Sequence, residues 1–226
     1  MKILFLGTGA ADWPEENGGR FREFRRKSSV LVDGELLIDP GPGVPGAMQE
    51  FGVPAESVKY VIVTHSHSDH CDPKTVEYLL SAGAELIEPK AGQTCRAGKY
   101  EISAFRANHG TCAGALHFLI SDGSKNLFYG LDGAWLLYDE VQAIIKAGAD
   151  LAVLDATVGE AEGDYRIFEH NNLRMVREIK LSLAPYVKRF CISHMAMTLH
   201  GDHKTLSAGM AAWGIETAYD GMETEI

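Results

Sequence analysis

The sequence predicts an α+β fold in four layers, αββα, with two β-sheets packed face to face and helices outside. Three observations predict it. Short β-branched and aromatic runs recur in both halves of the chain, and each half also carries helical stretches. Residues with metal-ligand side chains recur where those runs end, at His65 to His70, His109, Asp132, Asp155 and His194. No composition break divides the 226 residues, of which 46% are hydrophobic and 23% charged, so one domain over 1–226 is expected.

Taken in order, Lys2 to Leu6 reads as a strand and Gly7-Thr8-Gly9-Ala10 as a tight turn. A Gly-x-Gly after a strand is only a fragment of a dinucleotide fingerprint, because no third glycine opens a helix. The polar loop from Asp12 to Lys27 ends in Arg20, Arg22, Arg25, Arg26 and Lys27. Those cations suit either a phosphate-bearing substrate or, the preferred reading, a solvated loop offsetting acidic surface. Ser29 to Asp33 and Glu35 to Asp39 are strands joined by the hairpin signal Asp33-Gly34. Asp39 closes the apolar run Leu36-Leu37-Ile38, which suits a buried carboxylate bonded to a ligand histidine and equally suits turn chemistry. Val44 to Phe51 reads as a helix, and Asp72-Pro73 opens another.

Further strands are expected at residues 85–87, 100–105, 115–120, 126–130, 151–154, 190–193 and 217–219. Helices are expected over 135–147, from His170-Asn171-Asn172 onward, and over 204–213.

The densest chemistry lies in Tyr60-Val61-Ile62-Val63-Thr64-His65-Ser66-His67-Ser68-Asp69-His70, an apolar strand running straight into a His-x-His-x-Asp-His loop. Imidazole and carboxylate are ligands of Zn²⁺ and its neighbours, and this spacing lets several side chains of one loop converge. Cys71 reads as a small apolar residue rather than a ligand. His117 lies in an apolar strand and reads as sheet packing, and His200 and His203 as a polar loop.

The formal charge of -10 argues against a nucleic-acid binder, whose footprint is basic. Four scattered cysteines fit a reducing cytoplasm, and neither a signal peptide nor a membrane span is recognisable.

On these residues the chain resembles the metallo-β-lactamase superfamily, whose signature is the His65–His70 motif followed by His109, Asp132 and His194 at strand ends. Within it, the chain looks most like the PhnP-like phosphodiesterases. Leu6-Gly7-Thr8-Gly9, Ser28-Ser29, Ile38-Asp39-Pro40-Gly41, Tyr129-Gly130-Leu131-Asp132, Leu154-Asp155, His170-Asn171-Asn172, Ile192-Ser193-His194 and Asp220-Gly221-Met222-Glu223 all carry that likeness.

The resemblance implies two divalent metal ions, Zn or Mn. One is held by His65, His67 and His109, the other by Asp69, His70 and His194, and Asp132 bridges them. It implies catalytic roles for Asp69 and for His170, the latter as proton donor to a leaving alkoxide or as charge stabiliser. The PhnP group's Cys-x-Cys-x-x-Cys segment is replaced here by Arg20-Phe21-Arg22-Glu23-Phe24-Arg25, and its later histidine by Met197. No structural zinc is therefore expected, with Phe21, Phe24 and Met197 packing apolar in its place.

The function implied is hydrolysis of a small or cyclic phosphodiester by a metal-bridging hydroxide. Hydrolysis of an ester or thioester, tRNA 3′-end processing and a non-catalytic metal-binding scaffold are the alternatives. The expected partner is a small phosphodiester, with neither membrane nor nucleic acid, and a homodimer is left open.

Overall fold

The computed structural model of the protein describes residues 1–20 and 23–226, so Phe21 and Arg22, and the expectations placed on them, lie outside the described residues. The chain forms two compact units, one of residues 1–88 and 218–226, the other of residues 89–217.

The first unit is built on a mixed sheet. Among the described residues its strands are β1 (Lys2–Gly7), β2 (Ser29–Val32), β3 (Leu36–Ile38), β4 (Tyr60–Ile62), β5 (Glu85–Leu86) and, from far along the chain, β13 (Glu223–Glu225), in the order β13-β1-β2-β3-β4-β5. The β2–β3 hairpin turns on Asp33 and Gly34, whose φ angles of 50° and 74° are those of a tight hairpin turn. From β3 onward the pairing is parallel, with Ile38 opposite Ile62. Helices α1 (Val44–Glu50) and α2 (Pro73–Ser81) complete the unit. Helix α2 starts where Asp72 accepts the Thr75 amide at 2.9 Å and Pro73 presets the first turn. Its Leu79 is buried with Leu31, Leu37, Val61 and Met48, whereas Leu80 is exposed. Each such fully buried leucine contributes roughly 2 kcal/mol of apolar burial.

The cation-rich loop is not simply solvated. Arg25 is buried, and its Nη1 donates to Thr8 Oγ1 at 2.7 Å and to the Ala218 carbonyl at 2.9 Å. Asp220 accepts from Thr8 Oγ1 at 2.8 Å and from the Arg26 amide at 2.6 Å. The Arg26 guanidinium pairs with Glu50 and lies over the Phe51 ring, and Phe24 packs edge-on against Trp13. Buried hydrogen bonds thus occupy charges that the sequence leaves to solvent.

The second unit carries the other mixed sheet, ordered β12-β11-β10-β9-β8-β7-β6 among the described residues. Its strands are β6 (Thr94–Ala97), β7 (Tyr100–Arg106), β8 (Leu116–Ser121), β9 (Asn126–Gly130), β10 (Ala149–Asp155), β11 (Val187–Ser193) and β12 (Ile215–Thr217). Strands β6 to β9 pair antiparallel, and β9 to β12 run parallel. Helices α3 (Tyr138–Ala147), α4 (Leu173–Leu183) and α5 (His203–Ala211) belong to this unit. Helix α4 is capped by Asn172, which accepts the Met175 amide at 2.9 Å. Its stripe Leu173, Val176, Ile179 and Leu183 is buried with Phe128, Leu154 and Ile192.

Two expectations need correction, and two strands have no counterpart among those expected from the sequence. The helix expected over 135–147 begins only at Tyr138, because Trp135 adopts φ 59° with its amide held by Asn171 Oδ1 at 2.7 Å. The strand expected over 217–219 is instead Ile215–Thr217, and the chain pairs once more at β13. Strand β6, exposed and polar along most of its length, has no apolar alternation to reveal it. Among the described residues, no helix is long and apolar enough to cross a membrane.

Candidate functional site

In the first unit the parallel pairing of β3 and β4 delivers two segments past their carboxyl ends on the same side, the usual place for a ligand in an open sheet. One segment is Asp39, the other Thr64 to His70. Asp39 is fully buried and sits at φ 61°, a left-handed conformation that costs a non-glycine residue about 1 kcal/mol or more. Gly41 lets the loop lie against this turn, since a Cβ there would meet the Asp69 carbonyl oxygen at 2.2 Å.

Asp39 sets the tautomers of two histidines. Its Oδ2 lies 2.8 Å from His70 Nδ1. A carboxylate only accepts, so Nδ1 carries the proton and Nε2 presents its lone pair. Its Oδ1 accepts from the Thr64 amide at 2.7 Å and the Thr64 hydroxyl at 2.8 Å. With its hydrogen so directed, Thr64 Oγ1 accepts from His65 Nδ1 at 3.0 Å, which turns the His65 Nε2 lone pair toward His67 Nδ1, 2.9 Å away. His70 Nε2 faces Asp69 Oδ2 at 3.3 Å. A lone pair and a carboxylate oxygen at that distance call for a cation, proton or metal, between them. His65, Asp69 and His70 are buried and His67 half-buried. Burial, then the Asp39 and Asp72 charges, raise the Cys71 thiol pKa, which suits the non-ligand reading.

In the second unit β9, β10 and β11 run parallel with Gly130 beside Leu154 and Asp155 beside Ser193, so Asp132, Asp155 and His194 emerge together. Asp132 and His194 take left-handed φ angles of 53° and 60°. Asp155 is the hub. Its Oδ1 accepts the Thr157 and Asn171 amides, each at 3.0 Å. Its Oδ2 accepts the Asp132 amide at 3.1 Å and Thr157 Oγ1 at 3.0 Å, and lies 2.9 Å from His170 Nδ1. Burial opposes its charge, yet the His170 and His194 imidazoles prevail and hold its carboxyl far below the usual range. For His170, burial disfavours the imidazolium, but Asp155 and then Asp132 outweigh it and raise the pKa.

Thr157 Oγ1 also lies 2.7 Å from His194 Nδ1, as Thr64 stands to His65. Asp132 Oδ1 is 3.2 Å from both His170 Nδ1 and His194 Nδ1. The His109 ring is 5.1 Å from that of His170. Donor atoms of Asp132, Asp155, His170 and His194 lie within 4.8 Å of one another, and so do those of His109, Glu169 and His170.

Each unit therefore gathers its own share of the residues singled out in the sequence. The first holds His65, His67, Asp69 and His70 on one loop, and the second brings His109, Asp132, His170 and His194 together. The donor set, imidazole nitrogens beside buried carboxylates, fits divalent metal ions.

Sequence reasoning missed Thr64, Thr157, Asn171 and Glu169. The hydroxyls act by folding back on a carboxylate, and the Asp155-x-Thr157 spacing is their only signal. Glu169, next to His170 in the chain, accepts from Thr111 Oγ1 at 3.1 Å. His200 is no idle loop residue either, as its Nε2 is 2.7 Å from the Ala156 carbonyl. His117 is buried in β8 as expected, but Glu140 lies 2.8 Å from its Nδ1.

Comparisons with known proteins agree with this layout. Residues 22–71 match the model of the Metallo-beta-lactamase superfamily. The solved metallo-beta-lactamase fold protein YhfI from Bacillus subtilis superposes with a TM-score of 0.77 at 20% identity, covering 100% of this chain and 99% of that one. A diphosphatase from the PhnP family superposes with a TM-score of 0.76 at 18% identity, covering 100% and 97%. The Anti-Pycsar protein Apyc1 of Bacillus phage vB_BveM-Goe7 is 33% identical over 72 residues, 30% of this chain and 25% of that protein. The match thus spans only about a quarter of that curated relative's length.

Two mixed sheets with helices, motif loops past parallel strand ends and full-length superposition define the class: this is a metallo-β-lactamase-fold protein. Its His-x-His-x-Asp-His segment falls inside the stretch that matches the superfamily model.

Proposed function

We propose that the chain is a metal-dependent hydrolase of small or cyclic phosphodiesters, working in the cytoplasm. The observation that carries this reading is the pair of carboxylate–threonine–histidine networks, Asp39–Thr64–His65 and Asp155–Thr157–His194, each aiming an imidazole with a fixed tautomer. The proposed ligands are His65, His67, Asp69 and His70 of the first unit and His109, Asp132 and His194 of the second, for two divalent ions, zinc or manganese. When bound, such ions lower the pKa of water and offset negative charge at phosphorus.

The chain's own groups supply the rest. Asp69 accepts the hydrogen bond that orients the attacking water. His170, held through Nδ1 by Asp155 at 2.9 Å, delivers a proton to the leaving alkoxide. A cleft of about 670 Å³ lined by Arg106, Asn108, His109, Cys112 and Leu137 has the volume of a small-molecule site. That one structural neighbour is a diphosphatase supports chemistry at phosphorus.

The test is a panel of bis-p-nitrophenyl phosphate, a cyclic ribose phosphate, a lactone and a thioester, run after chelation and reloading with zinc or manganese. Turnover of the phosphodiesters with reloaded metal is expected. Turnover of the lactone or thioester alone overturns the reading.

A further inference from the structure

His117 and Glu140 have no part in the chemistry described so far. Both are completely buried, His117 in β8, where Leu116, Phe118, Leu119 and Ile120 are buried too, and Glu140 in α3. Their side chains meet at 2.8 Å through His117 Nδ1 and Glu140 Oε2. Glu140 uses its other oxygen to accept the Leu137 amide at 3.2 Å, which ties the pair to the first turn of α3. A buried polar pair of this kind brings little net stability over an apolar pair of the same volume, so its presence in this core asks for another reason.

The reason lies on the far edge of the imidazole. A Cβ on Gly133 would meet His117 Cε1 and Nε2, each at 2.5 Å, so the ring is pressed against the Gly133 backbone. Its Nε2 is buried against that backbone with no hydrogen-bond partner among the described residues. Leu131 and Gly133 flank Asp132, which is held at φ 53°. A left-handed aspartate persists only when its surroundings over-determine it. On one side the Asp132 amide is held by Asp155 at 3.1 Å. On the other stands the imidazole, locked in orientation by Glu140.

We propose that His117 and Glu140 are a positioning pair that clamps the Leu131-Asp132-Gly133 turn and so aims the Asp132 carboxylate at its metal ions. The inference rests on the proposed ligand role of Asp132. Glycine at 133 is then required by the close approach of the ring, and helix α3 acts as the anchor from which the clamp is applied.

The test compares wild type, His117→Leu/Glu140→Leu and Glu140→Gln, each stripped of metal and titrated calorimetrically with Zn²⁺ and with Mn²⁺, with Tm measured on the metal-free proteins. The double variant replaces the pair by apolar side chains and is expected to fold with a Tm close to wild type. Its metal affinity should fall about 10- to 100-fold, the range for residues that orient a ligand. Glu140→Gln keeps an oxygen acceptor for His117, giving up only the one for the Leu137 amide, and should stay within a few-fold of wild type.

Undiminished affinity in the double variant overturns the proposal. So does a double variant that loses its fold, unless the single variant Glu140→Leu, added to the comparison and folded, binds metal more weakly than wild type while folded Glu140→Gln does not. A wild type that binds neither ion overturns the hydrolase reading, and this inference falls with it.

Discussion

The Asp39 carboxylate and the His70 imidazole meet at 2.8 Å with both side chains wholly withdrawn from solvent. That contact makes the first unit's loop a pre-set donor rather than a flexible one. The same carboxylate reaches His65 through Thr64, so one residue orders two proposed ligands.

Asp39→Ala should therefore lower both stability and metal affinity. Removing the carboxylate leaves the buried Thr64 amide and His70 Nδ1–H without their acceptor, at a cost of about 1–3 kcal/mol for each unsatisfied group. Asp39→Asn should lose less, since asparagine tolerates the left-handed φ of 61°. Denaturant melts of the metal-free proteins, with calorimetric titration by zinc, check the order Ala below Asn below wild type.

Asp132→Ala should abolish turnover and reduce bound metal from two ions towards one or none. Elemental analysis of the purified variant reads this directly, and full metal content would remove Asp132 from the ligand set.

His170→Ala should keep its metal while turnover falls by about 10²- to 10⁴-fold, the usual contribution of a positioned general acid. The expectation follows from its 2.9 Å contact with Asp155, which holds the ring by Nδ1. Loss of metal in this variant would instead make His170 a ligand, in keeping with its place among Asp132, Asp155 and His194.

Stability should decline on the alkaline side through His117. Burial disfavours its charged form, but the Glu140 charge and hydrogen bond prevail and raise its pKa above the ordinary value. A raised folded-state pKa gives a contribution fully present below the unfolded value of about 6.5 and lost as pH rises through the folded one. The Tm of the metal-free wild type relative to His117→Leu/Glu140→Leu should thus fall as pH rises above about 6.5. A difference that stays constant or grows with pH would show that the pair is not ionised in the fold.

The elements that carry ligands were the most legible in the sequence. His65 to His70 are contiguous, and Asp132, Asp155 and His194 each close an apolar run that can only be a buried strand. What escaped were roles set by distant partners. Glu140 reads as one more acidic residue on a helix until folding sets it against His117. Thr157 is one more small polar residue until it lies between Asp155 and His194. Strands β6 and β13 escaped because their exposed, polar residues carry no apolar signal, their pairing partners supplying the order.

The way the first unit is closed bears on how the protein comes into being. Arg25 finds the Ala218 carbonyl, and Thr8 and the Arg26 amide find Asp220, only after the whole second unit has been translated. On the ribosome, the Arg25 guanidinium has Thr8 early but must wait for the Ala218 carbonyl. A chain cut before Ala218 would keep every proposed metal ligand yet lose β13 and the acceptors that Ala218 and Asp220 give to Arg25, Thr8 and the Arg26 amide.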